Sequence, residues 1–165
     1  MSKEKNLRPL TDPEYLALAE FRYQLRRFQR HMEEATRAMG VNPQQYQLVL
    51  ALKGLPRDYA PTISHLAERM QLNHNSMVEL VDRCEEHKLL RRTRNGEDRR
   101  QVALSITPDG EALLRKLGAA ARQELREMGP TMIESVLRLT EEGRSTKNGA
   151  ASSRHARGGT KKPVS

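Results

Sequence analysis

The sequence predicts a mainly α-helical chain with one small β-hairpin: a winged helix-turn-helix carried between long N- and C-terminal helices. Three observations predict it. Asp12-Pro13, Asn42-Pro43 and Thr107-Pro108 each set an N-cap oxygen before a proline. The cap side chain accepts an orphan N–H, and proline at the first helical position loses no hydrogen bond there. Residues 63–83 carry the internal pattern of a helix-turn-helix, and a hairpin crowded with arginine follows directly.

The first helix is expected over 13–39, after an N-terminal arm of residues 1–12. Leu18, Phe21, Leu25, Phe28, Met32, Ala35 and Met39 recur at alternating intervals of three and four, a heptad seam. Two readings of that seam stay open: contact with a partner along its length, or one core-facing stripe within a monomer. Arg22, Arg26, Arg27, Arg30, Glu33 and Glu34 fall on the solvated face. A second helix runs over 43–54 and closes at Gly54 and Pro56. After a loop to Pro61, a compact helix pair occupies 62–87.

Within that pair, Leu66, Ala67, Met70, Leu72, Met77 and Leu80 fill the angle between the helices, and small Ala67 permits a close crossing. Gln71 stands at the turn position that often holds glycine, which requires an uncommon but affordable positive φ. Asn73 is a good N-cap for the second helix, whose buried stripe is Met77, Leu80, Val81 and Cys84. Strands follow at 89–94 and 101–106, the second alternating Val102, Leu104 and Ile106 with Ala103 and Ser105. Asn95 to Arg100 form the polar hairpin tip. A helix over 108–128 is expected to stop at Gly129-Pro130, and a last one covers 131–142. Residues 143–165, rich in Gly, Ser, Ala, Lys and Arg, have too little apolar surface to offset their ordering entropy.

Charge is unevenly placed along the 165 residues. The formal net charge is +8, with 29 basic and 21 acidic residues. Residues 144–165 contribute six basic groups and no acid, so the high isoelectric point mostly reports the tail. Nucleic-acid binding by the folded part must therefore rest on local arrangement. No run is long enough to span a bilayer and no apolar leader follows the N-terminus, so a soluble cytoplasmic protein is expected. The single cysteine fits a reducing compartment.

The outward residues at the start of the second motif helix are those that meet base edges in a major groove: His74, Asn75 and Ser76, with Glu79 and Arg83 further along. Asparagine pairs bidentately with adenine, and a helix N-terminus favours phosphate. Arg91, Arg92, Arg94, Arg99 and Arg100 lie on or beside the hairpin, where an arginine at the tip can enter the narrow minor groove. Asp82, Glu85 and Glu86 oppose phosphate by charge and leave a protein-binding adaptor open as the alternative. A non-specific architectural DNA binder using the basic tail is the third reading.

Val78-Glu79-Leu80-Val81-Asp82-Arg83 leading to Leu89-Leu90-Arg91-Arg92, then Asp98-Arg99-Arg100, then Leu104-Ser105-Ile106-Thr107-Pro108-Asp109-Gly110, resembles the MarR family of bacterial transcriptional regulators over about 14–140. The resemblance implies a homodimer. Residues 13–39 and 108–142 would supply its dimerisation helices, and a DNA-binding lobe would occupy about 43–106. It implies double-stranded DNA as partner, a pseudo-palindromic operator, and repression. Asp98 would organise the wing, Arg100 would reach the DNA and Arg99 would contact phosphate. It further implies release by a small anionic aromatic ligand in a cleft, which the sequence does not identify; Arg22, Arg26, His31, Tyr46 and His65 are polar groups placed to line one.

Other chemistry is not expected. Cys84 sits on the buried stripe, where a thiol without an activating cation is inert. Cys84 and His87 are two possible metal ligands one turn apart, short of the four a structural zinc site needs. There is no phosphate loop, nucleophile elbow or HExxH motif, so no enzyme, cofactor or metal is expected.

Overall fold

The computed structural model describes residues 8–94 and 102–140. In chain order they form α1 (Asp12–Ala38), α2 (Pro43–Lys53), α3 (Ile63–Met70), α4 (His74–Glu86), β1 (Leu90–Arg94), β2 (Val102–Ile106) and α5 (Pro108–Thr140). α1 and α5 lie side by side, and α2, α3, α4 and the hairpin make a second, smaller cluster below them.

The helix starts follow the caps. Asn42 Oδ1 accepts from Gln44 N at 2.9 Å, and Gln45 Oε1 in turn accepts from Asn42 N at 3.0 Å. This reciprocal pair stops α2 from fraying. At α5, Gly110 N donates to Thr107 Oγ1 at 3.1 Å. α1 departs by one residue from expectation: its cap is Thr11, whose N–H donates to Glu14 Oε2 at 2.7 Å, so Asp12 is already helical.

One expectation fails. Gly129-Pro130 does not end a helix, and α5 continues through Pro130 to Thr140. Proline removes one backbone bond and costs about 3 kcal/mol in a helix interior. Packing outweighs this, because Met128 and Ser135 are both buried on either side of the proline. Pro130 itself is exposed. The alternation expected of β2 is also incomplete: Ala103 is buried beside Leu104. The reason is a second neighbour, since Leu104 N donates to Pro61 O at 2.8 Å and Thr62 bridges Ala103.

The heptad seam of α1 is only partly covered within one chain. Met32 is buried, Phe21, Leu25, Phe28 and Ala35 are half-buried, and Leu18 and Met39 are exposed. The buried residues of α1 are Ala17, Gln24, Met32 and Thr36, of which Met32 alone belongs to the seam. Thr36 Oγ1 donates to Met32 O at 2.6 Å, and Glu124 of α5 meets Arg27 at 3.4 Å and His31 at 3.6 Å. The core proper gathers Leu48, Val49, Leu66, Met77, Leu80, Val81, Leu90, Leu104, Leu113 and Leu117 from all the elements around it. Among the described residues, no helix is long and apolar enough to cross a membrane.

The junction between hairpin and α5 is the tightest place in the fold. Thr107 N donates to Leu89 O at 3.2 Å, and Thr107 Oγ1 donates to Lys88 O. A Cβ on Gly110 would stand 2.1 Å from Leu89 O and 2.8 Å from Ile106 Cγ2. Neither obstacle is the loose end of a side chain, so Gly110→Ala should lower stability by about 1–3 kcal/mol through overpacking. Urea unfolding measures this, and an unchanged midpoint would show that the first turn of α5 shifts freely.

Candidate nucleic-acid interface

The motif is built by two successive helix stops that use left-handed residues other than glycine. At the end of α3, Gln71 has φ of 55°. Gln71 N donates to Glu68 O at 3.0 Å and Leu72 N to Ala67 O at 2.9 Å, the paired bonds of a Schellman stop. Asn73 then caps α4 through Oδ1, which accepts from Ser76 N at 2.8 Å. At the end of α4, Lys88 also has φ of 55°, with Lys88 N on Glu85 O at 2.8 Å and Leu89 N on Cys84 O at 2.9 Å. The first stop aims α4 and the second turns the chain into β1.

α4 divides cleanly into two sides. Met77, Leu80, Val81 and Cys84 are buried, each at most 1% exposed. His74, Asn75, Glu79, Asp82 and Arg83 face solvent, and Ser76 is half-buried at the edge. The structure thus brings the five expected α4 residues onto one open surface, with the helix N-terminus at its leading end. Gln45, which sequence reasoning passed over, holds this surface in place. It is 2% exposed, and its Nε2 donates to Arg83 O at 2.9 Å. Its signal was the Asn42-x-x-Gln45 capping pair, which marks a glutamine with a structural task.

The hairpin pairs antiparallel from Leu90 opposite Ile106 to Arg94 opposite Val102, which directs residues 95–101 to its tip. Asp98, Arg99 and Arg100 lie outside the described residues, as does the side chain of Arg94. Two other arginines of the basic cluster are accounted for. Arg91 is exposed, and its Nε donates to Ser105 Oγ at 3.2 Å. Arg92 is tied back to α4: one guanidinium nitrogen is 2.7 Å from Asp82 Oδ1, another meets Glu85 Oε2, and its backbone N–H donates to Glu85 Oε1 at 2.6 Å. Two of the three acids expected to oppose phosphate, Asp82 and Glu85, are therefore engaged by an arginine, which their spacing of three on α4 permits, while Glu86 is exposed.

The residues considered for a ligand cleft do not converge. Tyr46 is buried, and burial raises its phenol above the ordinary range. His65 Nδ1 lies 2.8 Å from Ala60 O, with its ring edge-on to Tyr59 at 5.4 Å. His31 faces Glu124, while Arg22 and Arg26 are exposed. A groove of about 670 Å³ follows α5 instead, lined by Leu114, Gly118, Ala119, Arg115, Arg122 and Arg126 among others. None of the five lines it. Among the described residues, no three of His, Cys, Asp and Glu gather as metal ligands.

The MarR family model matches residues 39–101, which spans α2 through β1 and ends before β2. Over 85 residues the chain is 33% identical to the HTH-type transcriptional repressor MdtR of Bacillus subtilis, covering 52% of this chain and 53% of MdtR. Over these stretches the chain is similar to MarR-family regulators. The relatives it matches are transcriptional regulators rather than enzymes. It spans between about half and two thirds of the length of the curated relatives it matches. MarR-family folds align along most of the described residues. AbsC of Streptomyces coelicolor superposes with a TM-score of 0.61 at 21% identity, covering 79% of this chain and 93% of AbsC. A mutant MarR of E. coli complexed with operator DNA gives 0.59 at 14% identity, covering 80% of this chain and 94% of that one.

Cys84 is a packing residue. It is fully buried, its Sγ lies 4.0 Å from Gln45 O, and burial pushes the thiol from 9.0 up to about 12 despite the nearby Arg83. The unfolded chain ionises first, so this group's stabilising effect is complete below about pH 9 and is lost as pH rises toward 12. Stability measured from pH 7 to 11 should accordingly be flat and then fall, with Cys84→Ala flattening the decline. An alkylating reagent at pH 8 should label the thiol only after denaturation, and rapid labelling of folded protein would contradict this placement.

Proposed function

We propose that the chain is a sequence-specific DNA-binding transcriptional regulator in the cytoplasm, acting as a homodimeric repressor that a small ligand releases. The observation that carries this reading is the division of α4. One side is sealed into the core, and the other presents His74, Asn75 and Ser76 at the helix N-terminus. Glu79 and Arg83 border that surface. Arg94, Arg99 and Arg100 serve the wing, with Asp98 organising it, by their places in the sequence. The naming of MdtR as a repressor and the operator complex of E. coli MarR support the same reading.

Dimerisation is supported by apolar surface that one chain leaves open. Tyr15 and Leu16 at the start of α1 are 57% and 67% exposed, and Ile133 and Leu137 near the end of α5 are 61% and 51% exposed. A second copy seated on these helices would bury both patches. Residues 13–39 and 108–142 are thus the dimerisation helices of the proposal, and 43–106 its DNA-binding lobe. The α5 groove, with three arginines and no acid in its lining, has the charge to suit an anionic ligand.

Selection of duplexes from a random pool tests the reading. Two-fold-related half-sites about 10 bp apart should be enriched, matching two helices displayed by a dimer. Asn75→Ala should then cost about 1–3 kcal/mol at particular base pairs and spare the others. Arg100→Ala should weaken binding with no change in thermal midpoint. Enrichment of nothing, or equal loss on every sequence for Asn75→Ala, would contradict base reading by α4. Deleting 144–165 separates the tail-driven alternative: specific binding should persist while the salt dependence flattens.

A further inference from the structure

Asp82 on the open side of the helix assigned to DNA, and half-buried Glu85 one turn further at its edge, would repel phosphate as bare carboxylates. Neither is bare. Both hold Arg92, the central residue of β1, which is paired across the hairpin with buried Leu104. Glu85 grips it twice, accepting the backbone N–H at Oε1 and the guanidinium at Oε2. The arginine side chain is 28% exposed, Glu85 31% and Asp82 52%, so the bracket is partly shielded from water. β1 has no other described side-chain hydrogen bond to α4. The polar link between β1 and α4 is thus one arginine and two acids, added to the core that Leu90 and Leu104 share with Leu80 and Val81.

We propose that Arg92 is a positioning residue: bracketed by Asp82 and Glu85, it locks the wing to α4 so that one rigid unit enters both grooves of the duplex. It acts through the hairpin rather than by touching DNA, its donors being turned toward the acids. The two carboxylates consequently favour DNA binding by geometry more than they oppose it by charge. This inference rests on the DNA-binding reading above.

Charge and geometry predict opposite signs, which makes a neutral isostere decisive. Glu85→Gln removes a negative charge from the DNA-facing side, so charge alone predicts tighter binding. The bracket predicts affinity for a selected duplex lower by about tenfold, as the loss of a charge-assisted bond implies. Hydroxyl-radical protection of the minor groove by the wing should fade while major-groove protection by α4 persists, a separation that general destabilisation would not produce. Arg92→Lys, which keeps the charge but not the fork, should fall between wild type and Arg92→Ala. Should Glu85→Gln fail to fold, Asp82→Asn, at the more exposed arm, is expected to weaken binding in the same direction. A selective wild type whose Glu85→Gln or Asp82→Asn variant binds as tightly or more tightly, with the wing footprint intact, overturns the inference alone. A wild type that selects no duplex overturns the regulator reading beneath it.

Discussion

The rest of the molecule hangs on the close approach of α5 to the turn between α4 and β1. Leu89 O accepts from Thr107 N, and the Gly110 backbone comes so near that carbonyl that a single methyl would collide with it. Because α5 is 33 residues long, a small tilt at its first turn would move its far end by many ångströms. Glycine at that position fixes the departure angle, and with it the relation between the helix-turn-helix and the long helices. Lys53 Nζ, 2.6 Å from Glu111, adds a surface contact across the same joint that is worth little by itself.

From that joint, order passes to α4 through groups that are polar and yet buried. Gln45 is spent twice, capping α2 with its Oε1 and holding the Arg83 carbonyl with its Nε2. Unmet, either group would cost a desolvation penalty of about 1–3 kcal/mol. The outward face of α4 is accordingly presented by a rigid base, with Arg92 extending the same rigidity to the hairpin. Recognition of a helical ligand depends on such preorganisation, since a loosely held helix loses the affinity that its ordering would consume.

Much of this was legible in the sequence, for identifiable reasons. Asn42, Asn73 and Thr107 were readable because capping is local chemistry, decided within four residues. The buried side of α4 was readable because Met77, Leu80, Val81 and Cys84 keep helical spacing. Gln71 at positive φ was readable only because the motif fixes the length of the turn. Lys88, with the same φ, was not: a left-handed lysine has no compositional signature, and Leu89 after it looks like an ordinary strand start. Pro130 misled because its local preference is strong, and only the buried Met128 and Ser135 around it show why the helix persists. Arg92 was counted with the basic wing because sequence cannot tell an arginine aimed at phosphate from one aimed at its neighbours.

The proposed function comes down to two copies of the winged helix reading one stretch of DNA. Titrating the purified protein against a promoter fragment from its own locus, with unrelated DNA as competitor at physiological salt, tests it most directly. A preference of about 10³-fold or more, near 4 kcal/mol, with two subunits bound per site, is the predicted result. Equal weak affinity for both fragments, or one subunit per site, would contradict it.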